Sequence, residues 1–87
     1  MPVDPDFRRP ALADRIVRGA AERDLVRLHG AVVATLELYG RDDALHGVFV
    51  PALRRLRREH GRGARAVAAA AIADQLRLDG PYQSPPA

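Results

Sequence analysis

The chain reads as all-α. Apolar residues recur at three- and four-residue steps over most of its length, and alanine, the best helix former, supplies 16 of its 87 residues. The strand-favouring stretches, 31–39 and 45–50 with Val32, Val33, Thr35 and Val48 to Val50, are short and would make a marginal sheet at best. The expected architecture is a small four-helix bundle with a short first helix.

The first helix is expected from about Ala11 to Arg18, with Leu12 and Ile16 one turn apart and Gly19 placed to end it. The second runs from about Ala21 to Tyr39, where Leu25, Leu28, Val32, Leu36 and Tyr39 trace one face. At about 100° per residue that face points away from the one set by Leu12 and Ile16, so a single straight helix would split its apolar surface. A break near Gly19 follows. The third helix opens at Asp42, a good N-cap, and ends by Gly61. Its apolar set, Leu45, Val48, Phe49, Ala52, Leu53 and Leu56, has the spacing of a core-facing helix, and Pro51 predicts a kink inside it. The fourth runs from about Ala64 to Leu78, with Val67, Ala71, Ile72, Gln75 and Leu78 along one side. The bundle therefore spans 11–78. Residues 1–10, with three prolines, read as a flexible arm, and the Pro-rich 79–87 as a helix stop and flexible tail.

At 87 residues there is room for one core. Apolar residues are 47% of the chain, yet alanine makes up so much of that share that large side chains are few. The absence of cysteine excludes disulfides, thiolate metal sites and cysteine nucleophiles. No apolar run approaches the roughly 18 residues of a membrane span. The N-terminal MPVDPDFRRP lacks a signal-peptide core, so a cytoplasmic protein without a membrane partner is expected.

All 14 basic residues are arginine, against 11 acids, for a net charge of +3. Their distribution says more than their sum. Between Pro51 and Arg65 stand Arg54, Arg55, Arg57, Arg58, Arg62 and Arg65 with one acid, Glu59, a local +5. The remainder, eight arginines and ten acids, carries −2. These six arginines are candidates for contact with nucleic-acid phosphate or an acidic partner protein; an ordinary solvated helix face is the plainer reading. Base readout is not expected, because Ala66, Ala69, Ala70 and Ala73 on the next helix offer no hydrogen bonds to base edges.

Catalytic chemistry finds no footing. The one serine, Ser84, lies in the tail. His29 and His46 sit on separate helices without a second ligand at metal spacing, although Asp42 and His46 lie one turn apart and can pair. Asp42 and Asp43 are explained by a helix start. Gly61-Arg62-Gly63 is too short for a nucleotide fingerprint. The chain is expected not to be an enzyme and to hold no metal.

One segment carries a motif. Pro51 to Ala73, PALRRLRREHGRGARAVAAAAIA, resembles the helical cap that precedes the cobalamin-binding domain in methionine synthases, corrinoid proteins and MerR-type cobalamin light sensors. Pro51, Ala52, Leu53 and Arg54 match the family's Pro-Ala-Leu-Arg start, Gly63 its second glycine, and Val67 with Ala68 its Val-Ala pair. The departures fall on functional positions: Arg57 replaces the first glycine, His60 the tryptophan, and Ala70 and Ala71 the Glu-His pair. The chain also ends before any Rossmann-like cofactor domain. The resemblance thus implies a degenerate cap, with His60, Val67, Ala70 and Ala71 as its ligand-facing positions and the usual corrinoid ligands missing. The expected function is a regulatory or adaptor module that binds a partner protein or a second copy of itself through the small-residue face around Val67 and Ala71. A small-ligand or corrinoid cap and non-specific nucleic-acid binding are the alternatives.

Overall fold

A computed structural model of the chain describes residues 7–79. Among the described residues there is no strand, and the all-α class holds. The order is α1 (Arg8–Ala21), α2 (Leu25–Tyr39), α3 (Arg41–Ala44), a π turn (Leu45–Phe49) and α4 (Val50–Asp79). The last three join without a loop, so the expected four helices become three helical runs. α1 packs on α2 and on α4, and the π turn packs against both α1 and α4.

The N-terminal boundary differs from expectation. Arg8, Arg9 and Pro10, assigned to a flexible arm, open α1. Pro10 is tolerated because first-turn N–H groups have no intrahelical acceptor. Arg9 is structural: its guanidinium lies over the Tyr39 ring at 4.8 Å, and its Nη1 would be 3.1 Å from a Cβ on Gly47. It links the start of α1 to the end of α2 and to the π turn. The rest of the arm, 1–6, and the tail from 80 onward lie outside the described residues, and Asp79 is still helical.

The first break falls at 22–24, not at Gly19. The Asp24 N–H donates to Gly19 O at 2.9 Å and the Arg23 N–H to Ala20 O at 3.2 Å, the pair of bonds that closes a Schellman motif. Arg23 takes the left-handed position usually held by glycine, at φ 58°. Its Nη1 also donates to Ala20 O at 2.9 Å, occupying a helix-end carbonyl. Asp24 then caps α2, accepting from the Arg27 N–H at 3.2 Å. Gly19 remains helical because α1 and α2 cross there: a Cβ on it would stand 3.1 Å from the Leu28 Cα, Cβ and N.

The third run begins at Gly40, whose φ of 82° and ψ of 174° belong to glycine alone. Asp42 therefore lies in the first turn instead of capping it, and with Asp43 it complements the helix dipole. The kink expected at Pro51 takes the form of the π turn just before it. The Val50 N–H reaches back five residues to Leu45 O. The extra residue in that turn opens the ladder where a proline ring would otherwise strike the preceding turn. A sharper break follows at Gly61, φ 90° and ψ −179°, inside α4. No heavy atom lies within 4 Å of a Cβ built there, so backbone strain alone opposes a side chain. Gly61→Ala is expected to cost about 1–3 kcal/mol, read as a lower urea midpoint at unchanged m-value.

The core is small and alanine-rich. Ile16, Leu28, Val32, Val48, Phe49 and Leu56 are fully buried among Ala20, Ala31, Ala44, Ala52, Ala64 and Ala68. Thr35 is buried with them and donates its Oγ1 hydrogen to Ala31 O at 2.6 Å. The apolar face expected on the third helix is the one buried, with Leu45 and Leu53 at its margin. Two expected core positions are not: Leu25 is 53% and Leu78 66% exposed.

Candidate functional site

The bend at Gly61 decides how the six arginines are displayed. Arg54, Arg57 and Arg58 lie within about 100° of arc on α4, opposite the buried Ala52 and Leu56. Arg62 and Arg65 follow the bend, and Arg57, Arg62 and Arg65 line one open depression of about 420 Å³ with Ala66. Arg55 departs from the group. It meets Asp14 Oδ1 at 3.3 Å through Nη2 and Glu59 Oε2 at 3.5 Å through Nε, so its charge is compensated and ties α4 to α1. That pairing also occupies the segment's one acid. Among the described residues, Arg54, Arg57, Arg58, Arg62 and Arg65 are exposed and form no ion pair.

One further cation was not legible in the stripe. Arg23 Nη2 lies 3.5 Å from where a Cβ on Gly63 would be, so the α1–α2 turn carries its charge to the start of the post-bend helix. Only the fold brings these positions together, 40 residues apart in sequence.

Val67, Ala70 and Ala71 are neighbours within one turn of α4, and the four cap-like positions differ in burial. His60 and Ala70 are exposed, Val67 is half-buried, and Ala71 is packed in the core with Ala68 and Ile72. They do not line the depression of Arg57, Arg62, Arg65 and Ala66, nor either of the two beside α2. Of the expected contact face around Val67 and Ala71, Ala71 is buried, Val67 is half-buried and the adjacent Ala70 is exposed.

The outward apolar surface is on α2 instead. Leu28, Ala31, Val32 and Thr35 face the core, yet the opposite side carries Val26 at 85% exposure and Val33 at 36%. Val26, Gly30, Val33 and Glu37 recur at steps of four, three and four residues and form one ridge. A groove of about 710 Å³ runs on one side, floored by Ala11, Gly30 and Ala31 and edged by Asp14, Arg18 and Arg27. A smaller one, about 170 Å³, lies between Val33, Leu36, Glu37 and Gln75 on the other.

The histidines take backbone partners. His29 Nδ1 lies 3.2 Å from Leu25 O, and His46 Nδ1 3.1 Å from Asp42 O, so His46 meets the carbonyl of Asp42 and not its carboxylate. Among the described residues no group of three His, Cys, Asp or Glu side chains has metal-binding spacing, and no helix is long and apolar enough to cross a membrane. Family models, curated proteins and solved structures yield no match to the chain.

Proposed function

We propose that the chain is a non-enzymatic interaction module, of the regulatory or adaptor kind, that pairs with a second copy of itself through the outward ridge of α2. The observation that carries this reading is the exposure of Val26 and Val33 on a helix whose other side is already core. A helix apolar all round is normally covered on every side. Two features favour a second copy as the cover. α2 carries two full charges, Arg27 near its start and Glu37 near its end, both exposed. An antiparallel partner helix centred between Ala31 and Val32 brings Arg27 of each copy beside Glu37 of the other, whereas a parallel one stacks like charges. Gly30 falls at the level of Val33 of the second copy, and with nothing within 4 Å of its Cβ position it leaves room for close approach.

Light scattering across a concentration series tests this. The wild type is expected at twice the monomer mass. Val26→Glu, which places a carboxylate against Glu37 of the second copy, is expected to weaken association at least about tenfold, or ~1.4 kcal/mol. Val26 is so exposed that folding should change by no more than about 0.5 kcal/mol. Arg27→Glu and Glu37→Arg should each weaken the dimer and together restore it. A wild type that stays monomeric, or single reversals without effect, would sink the proposal.

A further inference from the structure

We infer that the bend at Gly61 builds a second surface, independent of α2, that binds the phosphate backbone of duplex nucleic acid without reading its sequence. Five exposed arginines, Arg54, Arg57, Arg58, Arg62 and Arg65, line the outer side of α4 across the bend, and three of them share one depression. None is ion-paired among the described residues, because Glu59 is taken by Arg55. Arg23, arriving from the α1–α2 turn beside Gly63, adds charge at the same end. Arg54 to Arg58 span about 6 Å at helical rise and Arg62 and Arg65 continue the row past the bend, enough to meet more than one phosphate of a duplex.

The composition of the patch selects among anionic partners. Protein interfaces are anchored by buried aromatic residues and arginine, and a protein partner here would have to rest on arginine alone. Here the depression is lined by arginine and Ala66 alone. Single-stranded nucleic acid is gripped by aromatic stacking platforms. The described aromatics are elsewhere: Phe49 is in the core, Tyr39 lies under Arg9, and Phe7 precedes α1. Beyond the arginines the exposed side of α4 continues with Ala66, Ala70 and Ala73, which have nothing to offer a base edge. What is left is fixed positive charge along a bent helix, the chemistry of backbone contact and counterion release.

The full chain, titrated with random-sequence duplex DNA at several salt concentrations, tests this. Five phosphate contacts predict that affinity falls roughly 500-fold between 50 and 200 mM salt, and two contacts roughly tenfold. The variant R57Q/R62Q/R65Q, folded by circular dichroism, should bind at least about tenfold more weakly at 50 mM salt and show the shallower dependence. Two duplexes of unrelated sequence should bind alike. Absence of binding at 50 mM salt, or a triple variant that binds like the wild type, overturns the inference. So does poly-glutamate binding as tightly as DNA at equal salt, which would assign the patch to an acidic protein. Val26→Glu should leave DNA binding in place, which separates this surface from the α2 ridge.

Discussion

Phe49→Ala is expected to lower stability by about 3–5 kcal/mol, the cost of removing a buried ring and leaving its space behind. A chain of this length is stable by only about 4–13 kcal/mol, so the variant stands near the edge of folding. The reason for the size of the effect is the composition of the core. Among the described residues, eight of the 17 buried apolar side chains are alanine, and Phe49 is the largest that is fully buried. The neighbours that would have to close the void are mostly small and helical, with little freedom to move inward. The ring also sits in the π turn, which packs on α1 and runs directly into α4, so its loss loosens the seat of this run on α1. Thermal unfolding should show a midpoint lower by more than about 12 °C. Phe49→Leu, which keeps much of the volume, should cost less. A midpoint within a few degrees of wild type for the alanine variant would mean that the helices hold together without the ring.

Periodicity made the inward faces legible wherever large apolar residues carried them. Val48, Phe49, Ala52 and Leu56 are buried, with Leu45 and Leu53 at the margin. On α2 it also picked the inward face, with Leu28 and Val32 buried and Leu36 and Tyr39 against the core, but missed at Leu25 and gave no sign that Val26 and Val33 make the opposite face apolar as well. The break between α1 and α2 was misplaced because Gly19 has two possible meanings, helix stop and close crossing. The stop was supplied by Arg23 in the left-handed position, a choice that side-chain preferences disfavour. Asp24, an aspartate immediately before an apolar run, is an N-cap signal that the expected start at about Ala21 passed over.

The arginine surface was legible in part. A run of like charges shows that a helix face is basic, but not which members are neutralised by distant acids. Asp14 is 41 residues from Arg55 and still takes it. Nor does it show which members converge. Gly61-Arg62-Gly63 read as a helix-ending turn, and the backbone at Gly61 does leave helical geometry, yet it does so within a bend that keeps Arg57 and Arg62 on the same side. The burial of the four cap-like positions was not legible either: the packing of α4 against α1 and α2 put Ala71 in the core while His60 and Ala70 stayed outside.

The second large effect is expected at Gly19, where the sign depends on which of two terms wins. Replacing a helical glycine by alanine normally gains about 1 kcal/mol in helix propensity. Here the new methyl would meet the Leu28 Cα, Cβ and N, each at 3.1 Å. Those are backbone atoms, or atoms bonded to them, at the start of α2 just past its Asp24 cap, and they cannot swing aside as a side-chain tip does. Overpacking of this kind costs about 1–3 kcal/mol, so Gly19→Ala is expected to be destabilising by a net amount of up to about 2 kcal/mol. Gly19→Val loses the propensity gain through its branched Cβ and adds two methyls to the same contact. The expected cost is about 3 kcal/mol or more, at the upper end of what overpacking brings. Urea unfolding of the pair decides the matter, because the two terms predict opposite orders. If propensity governs, the alanine variant is more stable than wild type; if the crossing governs, both variants are less stable and valine is worse. A stabilised alanine variant would mean that α1 and α2 separate at low cost, and that the turn at 22–24, not the glycine contact, sets their crossing.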